Sequence, residues 1–249
     1  MGAGSTRKRQ ALEVCRRRVL LAQCAACTDN VAAMNEAARR PLASRNRAWA
    51  KGIAAWLARC RVSPNAISAG SVVFALGAAT CWLATIPIHQ SAIDCALLVG
   101  VAVCIQGRLL CNLFDGMVAV EGGLRSHTGD LWNDVPDRFA DPLIIVPAGY
   151  AAGLPWAVEL GWIAGLMAIV TAYSRWLGAG LGRAQDFRGP LAKPQRMAVM
   201  TVAALAAAVA TWWNVAGWVL VAALVVVAIG GAVTLILRLR RLAQQMKAT

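Results

Sequence analysis

From residue 64 onward the chain alternates between long apolar stretches and short polar breaks. The apolar stretches run about Ala66–Thr85, Ala92–Val118, Trp132–Leu154, Trp156–Leu181, Met197–Trp213 and Ala216–Leu237. At about 20 residues each, they are long enough to cross a hydrocarbon core of roughly 30 Å as helices. A different pattern precedes them. Between Arg45 and Arg61, the apolar residues Trp49, Ile53, Trp56 and Leu57 fall at i, i+4, i+7 and i+8, one helix face, among Arg45, Arg47, Lys51 and Arg59. Such a helix lies in the membrane interface with its cations toward anionic head groups, and Pro64-Asn65 breaks it from the first span. The pattern predicts an all-α integral membrane protein: six transmembrane helices preceded by an interfacial amphipathic helix, forming one domain over 45–249. Residues 1–44 are polar, basic and Ala-rich, with Arg7-Lys8-Arg9 and Arg16-Arg17-Arg18. They read as a basic N-terminal extension: a surface helix, a disordered tail, or an over-called start with Met34 as the true one.

Composition agrees with the membrane assignment. The 249 residues are 59% hydrophobic and 15% charged, where a soluble domain carries about a quarter of its residues charged. The net charge of +13 has a topological explanation. The breaks near 86–91, 152–156 and 213–216 hold no Lys or Arg. The other ends collect the basic N-terminus, Arg125, the Arg183–Arg196 loop, Arg238, Arg240, Arg241 and Lys247. The positive-inside rule then makes both termini cytoplasmic. With the charge so placed and no nucleic-acid motif present, a nucleic-acid partner is excluded. Of eight cysteines, most lie in apolar stretches, and Cys24-x2-Cys27 is a lone pair without the second pair a zinc site needs. No secretory signal is evident. The absence of an internal repeat disfavours a transporter built from two related halves.

The candidate chemistry lies at the ends of the second and third spans. Asn112 and Asp115 share one helix face; Asn133 and Asp137 share another, extended by Asp130, Asp134 and Asp141. Ionisable residues in apolar segments are costly and usually functional. Two facing helices could present several oxygen ligands to one point, as suits a hard cation such as Mg²⁺ or Mn²⁺. The bland alternative pairs these acids with Arg108, Arg125 and Arg138 at solvated helix ends. Gly116, Ala119 and Gly129 are small residues that let a ligand or another backbone approach, and as membrane-helix packing devices they are ordinary. Arg175 lies within an apolar stretch and needs a partner or a polar cavity.

The run Asn112-x2-Asp115-Gly116-x2-Ala119-Val120-x8-Gly129-x3-Asn133-x3-Asp137 resembles the signature of the CDP-alcohol phosphatidyltransferases, Asp-x2-Asp-Gly-x2-Ala-Arg-x8-Gly-x3-Asp-x3-Asp. The spacing is kept throughout; Asn112, Val120 and Asn133 replace Asp, Arg and Asp. The resemblance implies transfer of a phosphatidyl or related group from CDP-diacylglycerol, or a similar CDP-alcohol, to a hydroxyl acceptor with release of CMP. It implies Asp137 as catalytic base and Mg²⁺ or Mn²⁺ held by Asn112, Asp115, Asn133 and Asp137. Gly116, Ala119 and Gly129 would line a cytidine pocket, and Arg175, Lys193 and Arg196 would bind a phosphorylated acceptor. A cytoplasm-facing site in a bacterial inner membrane and a homodimer are also implied. Asn offers a metal an oxygen but no charge, so two charges are missing from the implied metal site. One metal, or a metal arriving with substrate, is the alternative to two, with Asp130 or Asp134 as possible replacements. The rival functions are a relative that binds lipid or nucleotide without turnover, and a small transporter.

Overall fold

The first described helix shows how the rest is arranged. The computed structural model describes residues 47–88, 91–121, 129–183 and 185–247, all within one compact unit, Leu42–Thr249. The extension over 1–44, and Arg125, lie outside the described residues. Helix α1 (Ala48–Arg59) buries only its small residues, Ala50 and Ala54. They pack beside Leu113, Phe114, Met117 and Val118. Trp49, Ile53 and Trp56 stay exposed, with Trp49 edge-on to Phe114 at 6.3 Å. The tryptophans and Ile53 are thus largely exposed, while Leu57, expected on their face, packs on that cluster.

Six long helices follow: α2 (Pro64–Ile88), α3 (Ser91–Glu121), α4 (Gly129–Ala151), α5 (Pro155–Gly180), α6 (Lys193–Ala210) and α7 (Ala216–Lys247). Local sequence explains several boundaries. The Ser63 hydroxyl accepts the Ala66 N–H at 3.2 Å and Pro64 opens α2, a serine cap before a proline at the first turn. Pro155 opens α5. That helix ends at Gly182, whose φ of 73° lets the Arg183 N–H return to the Gly178 carbonyl at 2.9 Å. A 3₁₀ turn, Thr211–Trp213, and left-handed Asn214 (φ 56°) separate α6 from α7. Helix α7 runs past the apolar stretch to Lys247, because nothing in Arg238–Lys247 breaks a helix.

Of these, α2, α3, α5, α6 with its 3₁₀ turn, and α7 are long and apolar enough to cross a membrane. Helix α4 falls outside that set because it carries Asp134, Asp137, Arg138 and Asp141. The six helices close into a ring: α2 packs on α3 and α4, α4 on α5, α5 on α7, α7 on α6, and α6 on α3. Across the ring, α3 and α4 approach only sparsely. Small residues permit the close crossings. A Cβ on Gly149 of α4 would lie 2.5 Å from the Ala157 carbonyl oxygen, and one on Gly161 of α5 would lie 2.9 Å from that of Val146. The outer surface is the apolar one: Val73, Leu83, Val103, Trp162, Leu166, Val202 and Ile229 are exposed. A soluble protein does not expose such a continuous apolar surface.

Candidate active site

The ring's polar residues gather at one end, where α3 finishes and α4 and α6 begin. On α3, Arg108, Asn112 and Asp115 follow one another at i, i+4 and i+7. On α4, Asp134, Asp137 and Asp141 do so at i, i+3 and i+7. Lys193 and Arg196 share the first turns of α6, and Thr171 and Arg175 share a face near the end of α5. Polar side chains therefore fill the gap between α3 and α4. The loop that delivers Lys193 is docked on α7: the Arg188 carbonyl accepts from Arg238 Nε at 2.9 Å, and the Leu191 N–H donates to Thr234 Oγ1 at 3.0 Å.

Asp137 is the centre of this set. Its Oδ1 accepts from Arg108 Nη2 at 3.1 Å and from Asn112 Nδ2 at 2.9 Å, and its Oδ2 accepts from the Lys193 ammonium. The Asp137 side chain is 21% exposed and that of Lys193 is 26% exposed, so the pair is partly open to solvent. Behind it lies Asp141, buried, with Oδ1 on Arg108 Nη2 at 2.5 Å and Oδ2 on Arg196 Nη2 at 2.9 Å. Arg196 also donates to Thr171 Oγ1 at 2.9 Å and to the Leu191 carbonyl at 3.3 Å. A second, shallower pairing surrounds Asp134, which accepts from Arg175 at 2.7 Å and from Arg138 at 2.5 Å. Arg175 lies over the Phe187 ring at 5.2 Å, a cation–π contact. Asp115 stands apart, accepting from Ser68 Oγ on α2 at 2.8 Å and from the Gly116 N–H.

The structure therefore joins Asn112, Asp137 and Lys193 directly, and Arg196 through Asp141. Arg175 belongs to the neighbouring Asp134 pair. Gly116 and Ala119 lie half-buried on the face of α3 that carries Asn112 and Asp115, and Gly129 begins α4. The side chains of Asn133 and Asp130 lie outside the described residues. Two further contributors are Arg108, a bland charge partner in the sequence, and Asp141, part of its acidic stripe. Arg108 is fully buried, so it is no solvated helix end, and Asp141 is buried like Asp115 but, unlike it, between two arginines. Their i, i+4 spacing to Asn112 and to Asp137 was the signal. Ser68 offered none, because it reaches Asp115 only through packing of α2 on α3.

These residues fit a divalent metal poorly. Among the described residues no three Asp, Glu, His or Cys side chains form a metal-holding group. Asn112 presents its amide N–H to Asp137 rather than an oxygen to a shared point. Both oxygens of Asp137 and both of Asp141 already accept from cationic side chains. A divalent ion about 4 Å from the Lys193 ammonium would meet repulsion on the order of 8 kcal/mol at an effective dielectric of about 20. Of the implied ligand set of Asn112, Asp115, Asn133 and Asp137, the three described side chains do not converge: Asp115 turns to Ser68 and Asp137 to Lys193 and Arg108.

Comparison with family models and with curated proteins gives no match. Solved structures do match. The crystal structure of Mycobacterium tuberculosis phosphatidylinositol phosphate synthase (PgsA1) with CDP-DAG bound aligns with a TM-score of 0.63 and 19% identity, over 78% of this chain and 92% of that one. The same synthase in complex with manganese and citrate aligns with a TM-score of 0.63 and 19% identity, over 78% of this chain and 88% of that one. This chain therefore has the fold of those proteins.

Proposed function

We propose that this chain is an integral membrane CDP-alcohol phosphatidyltransferase, moving a phosphatidyl group from CDP-diacylglycerol or a similar CDP-alcohol to a hydroxyl acceptor in phospholipid synthesis. The observation that carries the reading is Asp137, partly open to solvent in the polar cluster, in a ring of helices shared with a synthase that holds CDP-DAG. An ionised carboxylate has about four lone-pair sites. Arg108, Asn112 and Lys193 use three of those on Asp137, leaving room for an acceptor hydroxyl. In the reaction, that hydroxyl oxygen forms a bond to the phosphatidyl phosphorus. The bond from this phosphorus to the CMP oxygen breaks, the hydroxyl proton passes to Asp137, and CMP departs with the bonding pair. General-base help of this kind is worth about 10²–10⁴-fold. Arg108 and Asn112 orient the base.

Lys193 and Arg175, each about a quarter exposed, are the cations available to substrate phosphates. Arg196, bound to Asp141, is a positioning residue in this reading. Gly116, Ala119 and Gly129 line the nucleotide side, where the small residues leave space for the cytidine. Helix α4 is the sixth span: its charged half is paired inside the ring, which lowers the cost of burying it. Helix α1 lies in the cytoplasmic interface with Trp49 and Trp56 toward lipid, and Trp212, Trp213 and Trp218 mark the opposite interface. A homodimer is part of this reading, testable by light scattering of the detergent-solubilised protein.

The test is CMP release from CDP-diacylglycerol by purified protein, with a panel of acceptor alcohols and their phosphates, in EDTA and in Mg²⁺ or Mn²⁺. Turnover is expected, and Asp137→Asn should lower it by about 10²-fold or more. Wild-type protein that releases no CMP under any of these conditions would refute the reading. The hydrogen bonds that already occupy Asp137 favour one competitor, a relative that binds the CDP-lipid without turning it over. Saturable binding with no CMP release would establish that competitor.

A further inference from the structure

The cation content of the cluster is unexpected for a site whose resemblance implies metal. Five cationic side chains, Arg108, Arg138, Arg175, Lys193 and Arg196, pair with three carboxylates, Asp134, Asp137 and Asp141, and with Asp115 counted beside them positive charge still exceeds negative by one among the described side chains. Where the signature places two more acids, the chain has Asn112 and Asn133. One turn before Asn112 stands Arg108, whose guanidinium is fully buried directly behind Asp137 and Asp141. Its Nε and Nη1 have no hydrogen-bond partner among the described residues. A buried guanidinium with unfilled donors is costly, and an oxyanion entering beside Asp137 is the ligand chemistry those donors suit. Relative to the signature two negative charges are absent, and two cations, Arg108 and Lys193, sit on Asp137.

We propose that the protein carries the site's cation itself: Lys193, backed by Arg108, supplies the positive charge that binds the diphosphate of a CDP-lipid, without a divalent metal. This rests on the CDP-lipid reading of the site. Lys193 suits the task because its ammonium is a compact charge on a flexible stem and is partly exposed. A diphosphate beside the pair competes with Asp137 for that ammonium. When Lys193 moves to the phosphate oxygens, Asp137 Oδ2 is released to take the acceptor's proton. Arg108 remains on Oδ1 and keeps the carboxylate oriented. The new oxygen–phosphorus bond forms, the bond to CMP breaks, and the charge on departing CMP is met by Lys193. Base and substrate-binding cation are thus one ion pair before substrate arrives, and the substrate itself separates them.

The experiment uses full-length protein in nanodiscs, stripped with EDTA, with its metal content measured by mass spectrometry and CDP-diacylglycerol binding measured by thermophoresis. The affinity is expected to agree in EDTA and in Mg²⁺ to within about twofold, with no stoichiometric metal retained. Lys193→Gln should weaken binding about tenfold and Lys193→Arg should restore most of it. An affinity that collapses in EDTA and returns with Mg²⁺ or Mn²⁺, a retained stoichiometric ion, or no CDP-diacylglycerol binding in either condition would overturn the proposal. The wild-type comparison needs no variant, so a misfolded mutant does not blunt it. CMP release read in the same samples separates the two claims. Release only with metal defeats this inference and keeps the transferase. EDTA-resistant binding without release in any condition defeats the transferase and keeps this inference.

Discussion

At the scale of single residues, Asp141 and Asp134 make opposite demands on the fold. Asp141 is buried between two buried arginines, Arg108 and Arg196. Its loss leaves Arg196 without a carboxylate and Arg108 with Asp137 alone, and breaking a buried pair typically costs about 3–5 kcal/mol. Asp141→Asn should therefore lower the detergent-solubilised protein's unfolding temperature strongly. Asp134 is about a fifth exposed and its partners Arg138 and Arg175 can reach water, so Asp134→Asn should cost about 1 kcal/mol or less. Parallel thermal denaturation of the two variants checks this, and equal losses would contradict the placement of Asp141 at the bottom of the cluster. The same distinction explains what could be read in advance. Residue types and helical offsets marked Asn112, Asp115 and Asp137. They could not show that Asp115 would turn to Ser68 while Asp137 turned to Lys193, because both choices depend on side chains from other helices.

At the scale of elements, the α4–α5 crossing is set by glycine. Gly149 meets the Ala157 carbonyl and Gly161 meets Val146 so closely that a side chain has no room. Gly149→Ala must part the helices, at about 1–3 kcal/mol. The shift would also move Asp137 relative to Lys193, so a lower unfolding temperature should come with reduced CDP-diacylglycerol binding. Gly52 on α1 is the control: nothing lies within 4 Å of a Cβ there, and Gly52→Ala should stabilise by up to about 1 kcal/mol through helix propensity. Melting curves of the two variants should shift in opposite directions. The start of α2 was legible because Pro64 acts locally. The face of α1 was legible in part: Trp49, Ile53 and Trp56 remain exposed, whereas Leu57, read on the same face, packs against the protein. That Ala50 and Ala54 would dock on the end of α3 was not, since alanines carry little amphipathic signal.

At the scale of the whole molecule, the charge asymmetry and the ring make a topological prediction. Cys60 is a free, exposed cysteine between α1 and α2, at the end that carries the polar cluster. Asn214 lies between α6 and α7 at the other end. With six spans, an impermeant maleimide should label Cys60 only in inverted vesicles. A cysteine placed at Asn214, with Cys60 replaced by Ser, should be labelled in intact cells. Labelling of both positions from one side would mean that one of the six helices, α4 first among them, does not cross. Sequence left Lys193 and Arg196 in a loop, whereas they open α6, but by itself it determined that the chain is helical and apolar enough for a membrane, roughly where the apolar segments lie, and which end gathers the charge. Those properties arise from local sterics and from the periodicity and hydropathy of single segments. Tertiary structure alone decided that the helices close into a ring, that Arg108 and Asp141 lie at its buried centre, and that Lys193 rests on Asp137. Pairing in a low-dielectric interior depends on which charges packing brings within hydrogen-bond reach, and residues 56 positions apart in the chain carry no mark of that meeting.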